Sequence, residues 1–148
     1  MVKEDVAYAT CKEEVENILA DFRNRDIPVA VINEHLQGDC GKFVWVHGTD
    51  FFYWFYPSPC SHSKFGLEKI NGIAKGIPFS VEELKIQSDK AAEALNVPIY
   101  GGDCVVSADG TLRIIDFNDW PSFARCREEA GGKIAECIYN RAKKQMKQ

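Results

Sequence analysis

The chain has 148 residues and a net charge of -4, with 45% hydrophobic and 27% charged residues. This composition is ordinary for a globular protein. One domain of this length can bury about 70% of its unfolded surface, so it can fold without metal or disulfide cross-links. The acidic balance argues against a nucleic-acid groove, and no apolar run approaches the ~20 residues of a membrane span or resembles a secretory signal, so we expect a cytoplasmic protein.

Six cysteines are scattered along the chain, and no two of them form a CxxC pair. This spacing is not typical of a zinc site, and a protein of the cytoplasm keeps its thiols reduced. We therefore predict free thiols, several of them in the core.

The first part of the chain is predicted to contain two strands and a helix. Residues 6–9 and 29–32 are apolar runs that favour strands, and the second run is apolar enough to be buried. Between them, Thr10 and Glu13 form the capping-box pattern T-x-x-E, so a helix with one apolar face should begin there and end near Pro28.

The middle of the chain is predicted to hold an aromatic hairpin between two irregular segments. Residues 33–41 are polar and contain two glycines, which indicates a hinge or loop. Residues 43–46 and 51–56 flank a polar turn and predict a β-hairpin. Residues 57–78 contain glycine and proline without periodicity, which indicates a functional loop or lid.

The last part of the chain is predicted to hold a helix, a hairpin and a final helix. Ser80 and Glu83 form a second capping box, and Asn96 closes the helix that follows. The final helix should start near Ser122 and run to the end. Mixed helices and antiparallel strands predict an α+β fold, in which helices pack on an antiparallel sheet.

The hairpin before the final helix carries acidic side chains. Its Asp109-Gly110 pair is a strong signal for a two-residue turn, and this turn would place Asp103 directly opposite Asp116. Asn118 follows two residues later, so it should point to the same face of the sheet.

Two facing carboxylates need compensation, because at about 5 Å they repel by about 3 kcal/mol at an effective dielectric near 20. A shared proton or a divalent cation would supply it. The rest of the hairpin is apolar, with Val105 and Ile114 predicted on the aspartate side. Two carboxylates and one amide oxygen suit Mg²⁺ better than zinc, and the alternative is a pair of solvated acids at a strand end.

These residues resemble the ATP-grasp enzymes, whose last two core strands carry an acid and then a D/E-x-N motif. Asp103, Asp116 and Asn118 match that pattern, and Pro121 follows as it often does in the family. The resemblance implies that these three side chains hold Mg²⁺ against the phosphates of ATP.

A second match to the family lies upstream, where a hinge strand is followed by a lysine-bearing hairpin. The resemblance implies that the backbone of Asn33 and Leu36 binds the adenine edge, with Glu34 in the hinge and Lys42 reaching toward phosphate. A lysine at the start of a strand is otherwise an ordinary solvated residue.

The resemblance covers residues 1–148 as a single ATP-grasp-like region, but only the C-terminal portion of the family's pattern. We therefore expect either part of a longer protein or a short homologue, and we expect it to bind magnesium-ATP weakly or not at all by itself. The implied function is a ligase that activates a small-molecule carboxylate as an acyl phosphate for attack by an amine. The alternatives are an ATP-grasp-like kinase of the inositol phosphate type and an inactive binding or oligomerisation module, and a homodimer remains open.

Overall fold

The structure is a computed structural model that describes residues 5–57 and 70–147. In these ranges the elements follow in the order α1 (Lys12–Asn24), β1 (Asp39–Val46), β2 (Phe52–Phe55), α2 (Val81–Leu95), β3 (Ile99–Val106), β4 (Leu112–Asp119) and α3 (Arg127–Gln145). The strands form one antiparallel sheet in the order β2-β1-β3-β4, which confirms the predicted α+β class. Neither described range contains a helix with the length and apolarity needed to cross a membrane.

One face of the sheet, called here the α2 face, packs against α2. It carries the buried side chains of Phe43, Trp45 and Tyr100. Lys85 of α2 lies over the Trp45 ring, and the Tyr100 hydroxyl donates a hydrogen bond to Asp89 of α2. The aromatic residues of β1 therefore belong to the core.

The opposite side of the sheet, called here the second face, is crossed by the segment between β4 and α3. A Cβ atom on Gly101 would lie 2.5 Å from the carbonyl oxygen of Phe43 and 2.9 Å from Pro121 Cγ. Glycine is therefore needed for Pro121 to lie close to β3. This close contact carries the chain over the sheet toward α3, which packs against β1.

The β3–β4 hairpin places Asp103 opposite Asp116, as predicted, although the turn is longer than predicted. The Ser107 N–H donates to the Thr111 carbonyl, which leaves a three-residue loop instead of a two-residue one. Gly110 has φ 83° in this loop, a left-handed value that glycine adopts without strain.

A β-bulge at Ile115 brings Asp103 and Asp116 into the predicted facing positions despite the longer turn. Cys104 faces Ile114, while the preceding residue Asp103 faces Asp116, so Ile115 has no directly opposed partner. Ile114 therefore lies on the α2 face, and its predicted position beside the aspartates is wrong. Ile115 is 54% exposed, because the bulge removes it from the packed ladder.

The two strands predicted before β1 are wrong. Residues 6–9 and 29–32 form no strand, and Val29 and Val31 are 77% and 82% exposed. A β-branched run favours a strand only where a neighbouring strand accepts its hydrogen bonds, and none in the described ranges pairs with it. Conversely, β1 starts at Asp39, inside the segment predicted to be a hinge or loop.

The helix ends follow the predicted signals in part. Thr10 bonds to Glu14 instead of Glu13, through both its N–H and its hydroxyl. Ser80 accepts a hydrogen bond from the Glu83 N–H, as the second capping box predicts. The left-handed backbone of Asn96 then ends α2 as expected.

The final helix starts later than predicted, at Arg127. Residues 120–126 form no helix, because they cross the second face before α3 begins. The five cysteines in the described ranges are free thiols, whereas Cys60 lies outside them. Most of the segment predicted to be a loop or lid, residues 58–69, also lies outside them.

Candidate functional site

Four directly opposed residues form a row across the second face, one from each strand. Phe55 of β2 faces Lys42 of β1, Lys42 faces Asp103 of β3, and Asp103 faces Asp116 of β4. Directly opposed side chains lie on the same face, with Cβ atoms roughly 4.5 to 5.5 Å apart. Asn118 lies on the same face, opposite Gly101. The sheet therefore brings together all three predicted metal ligands and the predicted phosphate-binding lysine, and we call these residues and Phe55 the cross-strand row.

Lys42 compensates the carboxylate pair. Its Nζ lies 2.7 Å from each carboxylate oxygen of Asp103, and the two side chains are 44% and 35% exposed. The sequence suggested a shared proton or a divalent cation in this role, and the structure adds an ammonium group from the neighbouring strand. An ion pair this exposed is worth about 1 kcal/mol or less.

Asp116 and Asn118 form the outer part of the row. The Asn118 amide nitrogen donates a hydrogen bond to one carboxylate oxygen of Asp116, and both residues are exposed. The other Asp116 oxygen and the Asn118 amide oxygen receive no hydrogen bond from residues 5–57 or 70–147. Solvent therefore reduces the repulsion between the acids, and two oxygen donors stay available to a ligand.

The available donors suit a hard cation. They are oxygens from a carboxylate and an amide, beside a second carboxylate, and Mg²⁺ prefers such ligands. Within the described ranges, no three His, Cys, Asp or Glu side chains form a group that could hold a metal. The three predicted metal ligands include only two side chains of these types, Asp103 and Asp116, because the third ligand is the Asn118 amide. The chemistry of this set fits Mg²⁺ with water and phosphate oxygens as further ligands.

The predicted adenine hinge precedes β1. Asn33 and Glu34 are exposed, whereas Leu36 is half-buried. The Leu36 carbonyl accepts a hydrogen bond from the Asn71 side chain at 2.9 Å, and the side-chain oxygen Oδ1 of Asn71 lies 3.1 Å from His35 Nε2. Asn71 thus holds this segment through the carbonyl of Leu36, one of the two residues whose backbone is predicted to bind the adenine edge.

The sequence did not single out Asn71, and it also missed Arg125. The Arg125 guanidinium lies 4.4 Å from the centre of the Phe55 ring, at the Phe55 end of the cross-strand row. No local motif marks this contact, because it depends on the β1–β2 register and on the path of residues 120–126 over the sheet.

Comparison with protein-family models, with curated proteins and with solved structures finds no match to this chain. The functional interpretation therefore depends on the geometry of the cross-strand row.

Replacing Lys42 by glutamine tests whether the two carboxylates form a cation site. We expect a loss of about 0.5 to 1 kcal/mol in unfolding free energy at low salt, because Asp103 loses its ammonium partner. Millimolar Mg²⁺ should restore more of this loss than KCl at equal ionic strength, as measured by urea denaturation. Lys12→Gln removes a lysine paired with Glu16 on α1 and should show no such preference for Mg²⁺. Equal effects of the two salts on Lys42→Gln would contradict a specific site.

Proposed function

We propose that the cross-strand row binds the phosphates of magnesium-ATP, and that the chain is the phosphate-binding portion of an ATP-grasp-like ligase. This ligase would activate a small-molecule carboxylate as an acyl phosphate for attack by an amine. The observation that supports the proposal is the position of Lys42, Asp103, Asp116 and Asn118 on one face of three adjacent strands.

The charges of the row support a metal-nucleotide ligand. Lys42, Asp103 and Asp116 together carry a net charge of about -1, which attracts a divalent cation more than a free phosphate. Asp116 and Asn118 would hold Mg²⁺ through their oxygens. When bound, Mg²⁺ would neutralise the charge that develops on the phosphates during phosphoryl transfer.

The remaining parts of the ligand have candidate contacts near the row. Lys42 offers a compact positive charge that suits phosphate oxygens. The backbone of Asn33 and Leu36, with Glu34 in the hinge, would contact the adenine, and the Asn71 side chain holds this segment at Leu36. The bound nucleotide would therefore lie along the chain from the hinge to the start of β1.

Paramagnetic broadening by Mn²⁺ in ¹H–¹⁵N NMR spectra tests the metal site directly, even where binding is weak. Mn²⁺ replaces Mg²⁺ at oxygen sites and should broaden the amide signals of Asp103, Asp116 and Asn118 first. Addition of ATP with Mg²⁺ should also shift the signals of residues 33–36. Broadening that is spread evenly over the acidic surface would contradict the proposed site.

Asp116→Asn provides the matched variant, with Asp119→Asn as its control. Both changes remove one charge from an exposed residue of β4, but Asp119 faces Tyr100 and so lies on the α2 face. Because loss of an outer-shell partner already weakens metal affinity roughly tenfold to hundredfold, loss of the Asp116 ligand should weaken it at least as much. The control should stay near wild type. Equal metal affinity of the two variants would support solvated acids without a site.

A further inference from the structure

We propose that Arg125 is a phosphate-binding residue of this site and holds the γ-phosphate of the nucleotide. This inference rests on the proposed function, because it assigns a further contact to the same ligand. The family resemblance gives Arg125 no role, and the inference comes from its position beside the cross-strand row.

The first argument is position. Pro121 lies against Gly101 on the second face, and residues 120–126 continue across that face toward α3. Arg125 comes near the end of this segment, with its guanidinium carbon 4.4 Å from the centre of the Phe55 ring. Phe55 directly faces Lys42, so the guanidinium lies at the β2 end of the cross-strand row, against the residue that faces Lys42.

The second argument is that the hydrogen-bond donors of Arg125 are available. Contact with an aromatic ring uses the positive charge of the guanidinium and leaves its N–H donors unoccupied. Arg125 is exposed, and it forms no hydrogen bond or ion pair with any residue of the described ranges. Arg141, by contrast, donates to the Asn96 side chain. The Phe55 ring therefore holds Arg125 in place while its planar fork of donors remains open to an anion.

The third argument is the order of charges along the row. Arg125 and Lys42 lie at the β2 and β1 end, and Asp103 and Asp116 lie at the β3 and β4 end. The Lys42 ammonium is paired with Asp103, whereas Arg125, beside Phe55, forms no ion pair with any residue of the described ranges. A metal-bound triphosphate matches this order, since its cation can face the acids while its terminal oxygens face the arginine.

The γ-phosphate is the group that suits this arginine best. Guanidinium binds a phosphate through two parallel N–H donors, a geometry that an ammonium group cannot reproduce. A substrate carboxylate carries one negative charge, whereas the γ-phosphate carries about two at neutral pH and needs more than one cation. Arg125 would supply a positive charge that no acid of the described ranges neutralises.

Titration of the full chain with three magnesium complexes tests this assignment. The probes are ATP, ADP and inorganic tripolyphosphate, and the affinities are measured from NMR shift changes. In Arg125→Gln, we expect the affinity for ATP and for tripolyphosphate to fall about tenfold, while the affinity for ADP changes less than about twofold. Arg125→Lys keeps the charge without the planar fork and should lie between Arg125→Gln and wild type.

Arg127→Gln is the matched control. Arg127 is also an exposed arginine and lies two residues after Arg125, so the variant removes the same charge from a nearby position. It should bind all three probes as wild type does. Equal ATP affinity in Arg125→Gln and wild type would overturn the role of Arg125 and leave the proposed function standing. An equal loss for ADP and ATP, or an equal loss in Arg127→Gln, would also overturn the γ-phosphate contact. If the wild-type chain binds neither ATP nor tripolyphosphate, the inference and the proposed function are overturned together.

Discussion

Gly102→Ala should destabilise the protein by about 3 kcal/mol or more, because the new methyl group has no space between β3 and β4. A Cβ atom on Gly102 would lie 2.1 Å from the carbonyl oxygen of Asp116 and 2.9 Å from Phe43 Cζ. The Asp116 oxygen belongs to the backbone, so the change must separate the two strands. For a chain of this length, the melting temperature should fall by about 10 °C.

Gly131→Ala is the matched control for this substitution. Gly131 lies inside α3, and a Cβ atom there would meet no atom within 4 Å. Alanine in an exposed helix should therefore stabilise the protein by about 0.5 to 1 kcal/mol. Thermal melting of both variants should show changes of opposite sign. A Gly102→Ala variant within about 1 kcal/mol of wild type would show that β3 and β4 do not approach this closely.

The close contact between β3 and β4 at Gly102 also holds the candidate site together. Gly102 faces Phe117 and lies beside Asp103, while Phe117 lies between Asp116 and Asn118. Strand separation at Gly102 would thus move Asp103 away from Asp116 and Asn118, the predicted metal ligands on β4. If Gly102→Ala remains folded, we expect it to lose Mn²⁺ broadening at all three predicted metal ligands together.

The sequence was sufficient to predict that Asp103 lies opposite Asp116, although the prediction assumed a two-residue turn. The Asp-Gly pair marked the hairpin, and the structure places a three-residue loop there. The loop shifts the register by one residue, and the bulge at Ile115 shifts it back. The bulge leaves no sequence signal, so Ile114 was assigned to the wrong face while the two aspartates were paired correctly.

The contacts that complete the row could not be predicted from local spacing. Lys42 and Asp103 are 61 residues apart, and they meet because β1 and β3 pair in one register among several that an apolar pattern allows. The contact of Arg125 with Phe55 depends on the same pairing and on the segment after β4. The apolar run at residues 29–32 was predicted to be a strand from its composition, but it forms none. A strand also needs a neighbouring strand to pair with, and local composition does not specify that neighbour.

Asp39→Asn should cost about 2 to 3 kcal/mol of unfolding free energy at neutral pH, because the buried side chain loses charge-assisted hydrogen bonds and can no longer accept from both of its N–H donors. Asp39 starts β1 and is 4% exposed. Its two carboxylate oxygens accept hydrogen bonds from the Lys75 and Ile77 N–H groups, each at 2.8 Å. An asparagine amide at this position would direct N–H groups toward one of these donors. Asp109→Asn, in the exposed hairpin loop, keeps an acceptor for the Thr111 N–H and should change stability by less than about 0.5 kcal/mol.

The effect of Asp39→Asn should disappear in acid. Burial opposes ionisation of the Asp39 carboxyl, but the N–H donors of Ile77, Lys75 and Gly76 outweigh it, so the pKa of Asp39 in the folded protein is lowered. A lowered folded pKa gives stability that is present above the unfolded value of about 3.9 and is lost as pH falls through the folded value. Urea denaturation at a series of pH values should therefore show the wild type and Asp39→Asn converging below about pH 4. A difference that stays constant into acid would mean that the ionised carboxylate is not what holds residues 75–77 against β1.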